Sequence, residues 1–110
     1  MASTKEFEAI DIRVGVVKHI EPFPEGKYST HILYIDFGEE IGTKKSLARL
    51  TPHYTTDSLL HKHVLGVVNF PPRQIGKHIS EVLTLGVPDA KGNTVLIQPE
   101  RDVPLGGKLY

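Results

Sequence analysis

Apolar and polar positions alternate with the period of two that marks strands along most of the chain. Residues 12–20 place Ile12, Val14 and Val16 on one face, with an interruption around residues 15–17 that predicts a bulge or tight bend. Pro22-Phe23-Pro24-Glu25-Gly26 is a turn signal. Residues 31–37 alternate cleanly, with Leu33, Ile35 and Phe37 opposite Ile32, Tyr34 and Asp36. Residues 38–42 turn the chain into a third strand at 45–50, and residues 64–70 and 81–87 give a fourth and a fifth. A shorter strand at 95–98 precedes a tail rich in turn residues. One short helix is predicted within residues 52–61. It starts either at Pro52 behind a Thr51 cap or at Thr55 or Thr56, before Asp57-Ser58-Leu59-Leu60.

Short strands with one small helix between the third and fourth predict an all-β domain. The expected form is a five-stranded Greek-key barrel of the oligonucleotide/oligosaccharide-binding (OB) type, which places its helix at that point in the order. A small sandwich is the competing architecture. At 110 residues without repeat or linker, the chain reads as one domain, residues 1–110.

The absence of cysteine removes disulfides, thiolate catalysis and the common zinc-finger patterns. No apolar run approaches the roughly 20 residues of a membrane span, so no membrane insertion is expected. The N-terminal MASTKEFEAIDIRVG lacks a signal-peptide apolar core, and a cytoplasmic location is expected. Net charge is zero but segregated. Residues 1–40 carry four Lys/Arg against eight Asp/Glu, residues 41–80 six against one, and the last thirty three against four. The basic third also holds four of the six histidines. Such segregation makes a basic face suited to RNA or an anionic surface, while falling short of the balance of a dedicated nucleic-acid binder.

That face centres on NFPPRQIGKHISEVLTLGV, residues 69–87. Pro71 and Pro72 fix φ and remove two donors, so the segment leaves its strand in a preset direction. Arg73, Lys77 and His78 supply cationic or protonatable groups beside Phe70 and Ile75. Rigid, basic and apolar together, the loop suits gripping a ligand more than chemistry. Phe70 could equally be the last core residue of its strand. Phe23, bracketed by prolines, reads as a further apolar contact. Lys44 and Ser46 should share one strand face and Lys45 the other, one lysine joining Arg73 and Lys77 in a basic rim. Asn69 and Ser80 could donate to a bound backbone or stabilise the turn. Glu81 could anchor a cationic group or pair with Lys77 or Arg73.

His61-x-His63 would project both rings to one face if extended, yet a third ligand is lacking, so no metal is expected. No phosphate-cradling glycine loop, nucleophile elbow or paired carboxylates occur. Without a nucleophile–base set the chain is not expected to be an enzyme or to use a cofactor. The tail carries Val95, Ile97, Val103, Leu105 and Leu109, more apolar surface than a free terminus needs. It either supports a homodimer or folds back over its own barrel.

The segments DIRVG (residues 11–15), IDFGEEIGTKKSLARLTPHY (35–54) and VVNFPPRQIGKHISEVLTLGV (67–87) resemble the tRNA-binding domain family, and within it the CsaA-type branch of export-related chaperones. The resemblance covers residues 7–109. It implies an OB barrel that dimerises through additions at its two ends, with a pocket at the barrel mouth that receives extended, unfolded polypeptide. In the wider family the segment after the first strand reads like HPxADKLY, and a later run is Asn-Leu-Lys-Pro. Here they are EPFPEGKYSTHILYIDFG and Asn69-Phe70-Pro71-Pro72, so a lysine has become a proline. Unfolded precursor polypeptides, the export translocation motor and a second copy of the chain are the implied partners, with tRNA as a rival ligand.

Overall fold

The computed structural model describes residues 1–110. In chain order the elements are α1 (Thr4–Glu8), β1 (Ile12–Pro22), β2 (His31–Asp36), β3 (Thr43–Ala48), α2 (Thr56–Leu59), β4 (His63–Val67), β5 (Arg73–Ile75), β6 (His78–Ser80), β7 (Leu83–Thr84), β8 (Gly86–Pro88) and β9 (Thr94–Leu96). The main sheet runs β3-β2-β1-β4-β7, all antiparallel, and two small hairpins, β5–β6 and β8–β9, attach to it. Curling β3 round towards β7 makes a nearly closed five-stranded barrel of the expected OB type, with α2 between the third and fourth strands.

β1 serves both halves of the barrel. Its first half pairs with β4 and its second with β2, and Val16 faces both His63 and Asp36. A register shift between Val17 and His19 reverses the strand's parity, so Val17 and Ile20 both reach the main core despite their odd spacing. The sequence pattern puts this break at residues 15–17, close to where it falls. Gly15 has its own reason. A Cβ there would lie 2.5 Å from Ile35 Cγ2 and 2.8 Å from Phe37 Cδ1, so glycine makes room for the fully buried Phe37 ring.

The main core gathers Val17, Ile20, Leu33, Ile35, Phe37 and Leu50 with Leu59 from α2, Val64, Val82 and Leu96. α2 begins at Thr56 rather than Pro52. Thr55 Oγ1 accepts from the Ser58 N–H and Ser58 Oγ from the Thr55 N–H, a reciprocal cap that decides between the two candidate starts. α1 has the same cap between Ser3 and Glu6, but buries nothing, so no apolar periodicity announces it.

Ile12, Val14, Leu65 and Val67 form a second cluster on the barrel's outside. The C-terminal tail covers it along the edge of β1 that β2 leaves free. Gly106 N–H donates to Val14 C=O, Val14 N–H to Gly107 C=O and Leu109 N–H to Ile12 C=O. Arg13 clamps the crossing: Nε donates to Asp11 Oδ1 at 2.6 Å and Nη1 to Gly106 C=O at 2.9 Å.

His31 opens β2 as one of two buried polar residues, its Nδ1 within 2.9 Å of Thr30 Oγ1. Burial holds its pKa below the ordinary 6.5. The unfolded chain therefore takes up a proton at His31 before the folded chain does. Stability from this residue is complete above about pH 6.5 and declines as pH falls towards the folded value. Urea midpoints measured from about pH 7.5 to about pH 5.5 should fall for the native chain and fall less for His31→Gln.

Candidate binding site at the barrel seam

The β5–β6 hairpin is the part of the 69–80 segment that reads as a loop in sequence. Gly76, at φ 61°, and Lys77 form its two-residue turn, and Arg73 pairs with Ser80, Gln74 with Ile79, Ile75 with His78. The hairpin is fixed to the free edge of β3. Ser80 Oγ accepts from Leu47 N–H at 3.0 Å, Glu81 Oε1 from Lys45 N–H at 3.0 Å, and Glu81 N–H donates to Lys45 C=O at 2.7 Å. Underneath, Phe23, Ile32 and Leu47 make a third apolar cluster, with Ile75 and Tyr34 packed on it.

This arrangement brings part of the anticipated set together. Phe70, Pro71, Arg73, Ile75, Ser80, Glu81 and Leu83 line a hollow of about 280 Å³ between the hairpin and β7. Ile75 also borders a cleft of about 500 Å³ at the hairpin tip, shared with Phe23, Glu25, Lys27 and Lys77. Phe70 is 45% exposed, so it leaves the core and offers a contact surface. Arg73, Lys77, Lys44 and Lys45 make no ion pair, whereas Arg13 is spent on Asp11. An unpaired cation beside exposed apolar carbon is free to meet an anionic group or to solvate a bound chain's carbonyls.

Other members have structural duties instead. Ser46 is fully buried and its hydroxyl lies 2.8 Å from Thr84 Oγ1, so it closes the barrel interior and is absent from the surface. Its strand neighbour Lys44 alternates to the same side, away from Lys45, so the two lysines do not form one patch. Phe23 is buried, edge-on to His78 with ring centroids 5.3 Å apart, and it supports the hairpin rather than presenting a face. Asn69 accepts from Asp11 N–H and donates to Ala9 C=O, tying α1 to the end of β4. Ser80 and Glu81 keep their polar atoms on β3's edge. Glu81 therefore pairs with neither Lys77 nor Arg73. His61 has φ 67°, so the His61-x-His63 segment is not a continuous strand and the rings are not aligned as a pair.

The tail residues divide. Ile97 and Leu105 pack on the Ile12–Val14–Leu65–Val67 cluster within the chain. Val95, Val103 and Leu109 remain exposed, and Val103 and Leu109 border an apolar hollow of about 420 Å³ with Val14, Leu65 and Tyr110. Leu109 and Tyr110 also meet Phe7 and Ile10 of the N-terminal segment around a second hollow of about 360 Å³.

Leu83 and the seam itself are not in the sequence-based set. Seen in sequence, Leu83 belongs to a continuous strand at residues 81–87. In the structure that strand breaks at Leu85, where β8 departs to pair with β9, and the break leaves Leu83 half exposed between the hairpin and β3.

A barrel presenting apolar and cationic groups beside an incompletely closed seam defines a binding module of the OB class. The family model described as "Putative tRNA binding domain" matches residues 12–108, and the chain belongs to that family. Its structure is similar, with a TM-score of 0.91 and 41% identity, to chaperone CsaA of Bacillus anthracis, covering 100% of this chain and 99% of that one. CsaA of Picrophilus torridus gives the same score and identity over the whole of both chains. Among curated sequences, methionine–tRNA ligase of Chloroherpeton thalassium is 37% identical over 101 residues, 92% of this chain and 14% of that protein. The corresponding ligase of Pyrococcus horikoshii is 30% identical over 105 residues, again 14% of its length. The chain thus spans about one seventh of the curated relatives it matches.

Proposed function

We propose that this chain is a non-catalytic chaperone that, as a homodimer, holds extended segments of unfolded polypeptides. The observation that carries this reading is the exposed Phe70 and Leu83 around the hairpin hollow, beside cations without ion partners, in a chain of zero net charge. An apolar, weakly charged rim favours a neutral polypeptide over a polyanion. The similarity to CsaA supports the same choice. Unfolded precursors of exported proteins, collected in the cytoplasm and passed to the export translocation motor, are the cargo that the family resemblance brings. RNA is the second reading, supported by the family match and the free Arg73 and Lys77.

A competition titration at two salt concentrations, with a labelled unfolded peptide and total tRNA as rivals, tests this. Peptide binding that is tight and nearly salt-independent supports the chaperone. Salt-steep tRNA binding that displaces the peptide replaces it with an RNA-binding dimer.

The homodimer rests on the two apolar hollows at the tail, because exposed patches of this kind are normally covered. Sedimentation should give a dimer for the native chain and a monomer for Leu109→Asp, whose carboxylate would be buried unpaired in such a contact. A native chain that sediments as a monomer would mean that the tail only covers its own barrel.

A further inference from the structure

We infer that the extended polypeptide docks as an added strand in the slot between the end of β3 and β7–β8, by main-chain hydrogen bonding; this inference rests on the polypeptide-binding reading above. The barrel seam is closed along only part of its length. Glu81 holds both main-chain groups of Lys45, Ser80 holds Leu47 N–H, and Ser46 meets Thr84 inside. Two residues further along the same edge, Arg49 comes next in the alternation, and neither its N–H nor its C=O has a partner in the chain. These groups are half of a strand ladder with nothing on the other side.

The opposite wall is prepared in the same way. Leu85 N–H donates to Leu65 C=O, so in the antiparallel alternation the intervening Thr84 directs its main-chain groups away from β4. Asp89 N–H donates to Asn93 C=O, which by the same rule turns the main-chain groups of Gly86 away from β9. Between the walls lies a groove of about 380 Å³. Leu47, Leu50, Leu83, Val87 and Leu96 supply its apolar surface.

Charge decides the occupant. No Asp or Glu lines the groove, and its one cation, Arg49, spends Nη2 on Gly92 C=O at 2.8 Å. One guanidinium pinned at the end of an otherwise uncharged groove is too little for a polyanion, whereas a neutral strand with every second side chain apolar satisfies both walls and the floor. The far end of the slot is closed by that Arg49–Gly92 contact and by His53 Nε2 on Asp89 Oδ2 at 2.6 Å, which strap the β8–β9 hairpin to the segment after β3. Main-chain recognition of this kind is tolerant of sequence, as a chaperone for varied clients requires.

Amide hydrogen exchange of the full chain, with and without a short neutral peptide alternating valine and serine, reads the ladder directly. The Arg49 amide should exchange freely in the free protein and slow by more than about tenfold at saturating peptide. N-methylation should weaken binding by about tenfold at either set of alternate peptide positions, because one set bonds Arg49 and the other bonds Thr84 and Gly86. Val87→Asp, at an exposed groove position, should weaken the peptide by about tenfold or more, and Phe70→Ala, at the adjoining hairpin hollow that shares Leu83, by clearly less than Val87→Asp does. Peptide that binds without protecting Arg49, with losses concentrated at Phe70, overturns the slot and leaves the chaperone reading standing. Absence of peptide binding by anisotropy overturns both.

Discussion

Gly15→Val, in the central strand β1, is expected to be strongly destabilising, costing about 3 kcal/mol or more and lowering the melting temperature by roughly 10–20 °C. A strand-interior glycine would ordinarily be improved by a β-branched residue, because glycine weakens a strand by about 0.5–1 kcal/mol. Here the sign reverses. The added Cβ alone would lie 2.5 Å from Ile35 Cγ2 and within 3 Å of two Phe37 ring carbons, before the valine methyls are placed. Neither neighbour can yield, since Ile35 and Phe37 are both fully buried in the same core. Gly42→Asn supplies the control. Gly42 has φ 83° and open space around its Cβ position, and asparagine tolerates the left-handed region, so the loss should stay below about 1 kcal/mol. Thermal melts of the two variants beside the native chain check both values. Equal losses would mean that backbone conformation, not the Phe37 contact, governs these glycines.

That comparison also shows how much of the fold the sequence carries. Clean alternation at residues 31–37 identifies β2 and its core face without ambiguity, because Leu33, Ile35 and Phe37 do face the interior. The tail is harder. Its hydrogen bonds run to Val14 and Ile12, nearly a hundred residues away in sequence, and no local pattern predicts which edge it will cover. The same limit explains β7 and β8. Residues 81–87 read as one strand because apolar residues recur there, but β8 leaves the barrel to satisfy its backbone against β9, a non-local choice.

The site was legible in residue type and not in orientation. Arg73, Ile75 and Phe70 meet at one hollow as their chemistry suggests. Ser46, which shares a strand face with Lys44, is consumed by Thr84, and Asn69, whose amide suits either a bound backbone or the turn, by the Asp11 and Ala9 main chain. Composition cannot separate a hydroxyl that binds a ligand from one that closes a barrel. Parity within β3 could have done so: with Leu47 and Lys45 outward, Ser46 must point in. The Gly76-Lys77 turn signal could likewise have revealed the β5–β6 hairpin.

Arg73→Glu combined with Lys77→Glu should separate the two ligands more sharply than any other variant. Neither residue has an ion partner, so reversing both removes no folded-state contact and should leave the melting temperature within a few degrees of native. If each contacts a phosphate, their removal lowers the log–log salt slope for tRNA by about two, and the new carboxylates repel what remains. tRNA affinity at low salt should then fall about 100-fold or more. A neutral peptide loses no charged partner, and its affinity should change by less than about threefold, because the apolar surface of Phe70 and Leu83 is untouched. Anisotropy titrations with both ligands on one protein preparation decide the matter. Retained tRNA affinity would exclude Arg73 and Lys77 from the RNA contact. Loss of peptide binding in step with tRNA would instead make the basic rim part of the polypeptide site, and would require clients that are acidic rather than neutral.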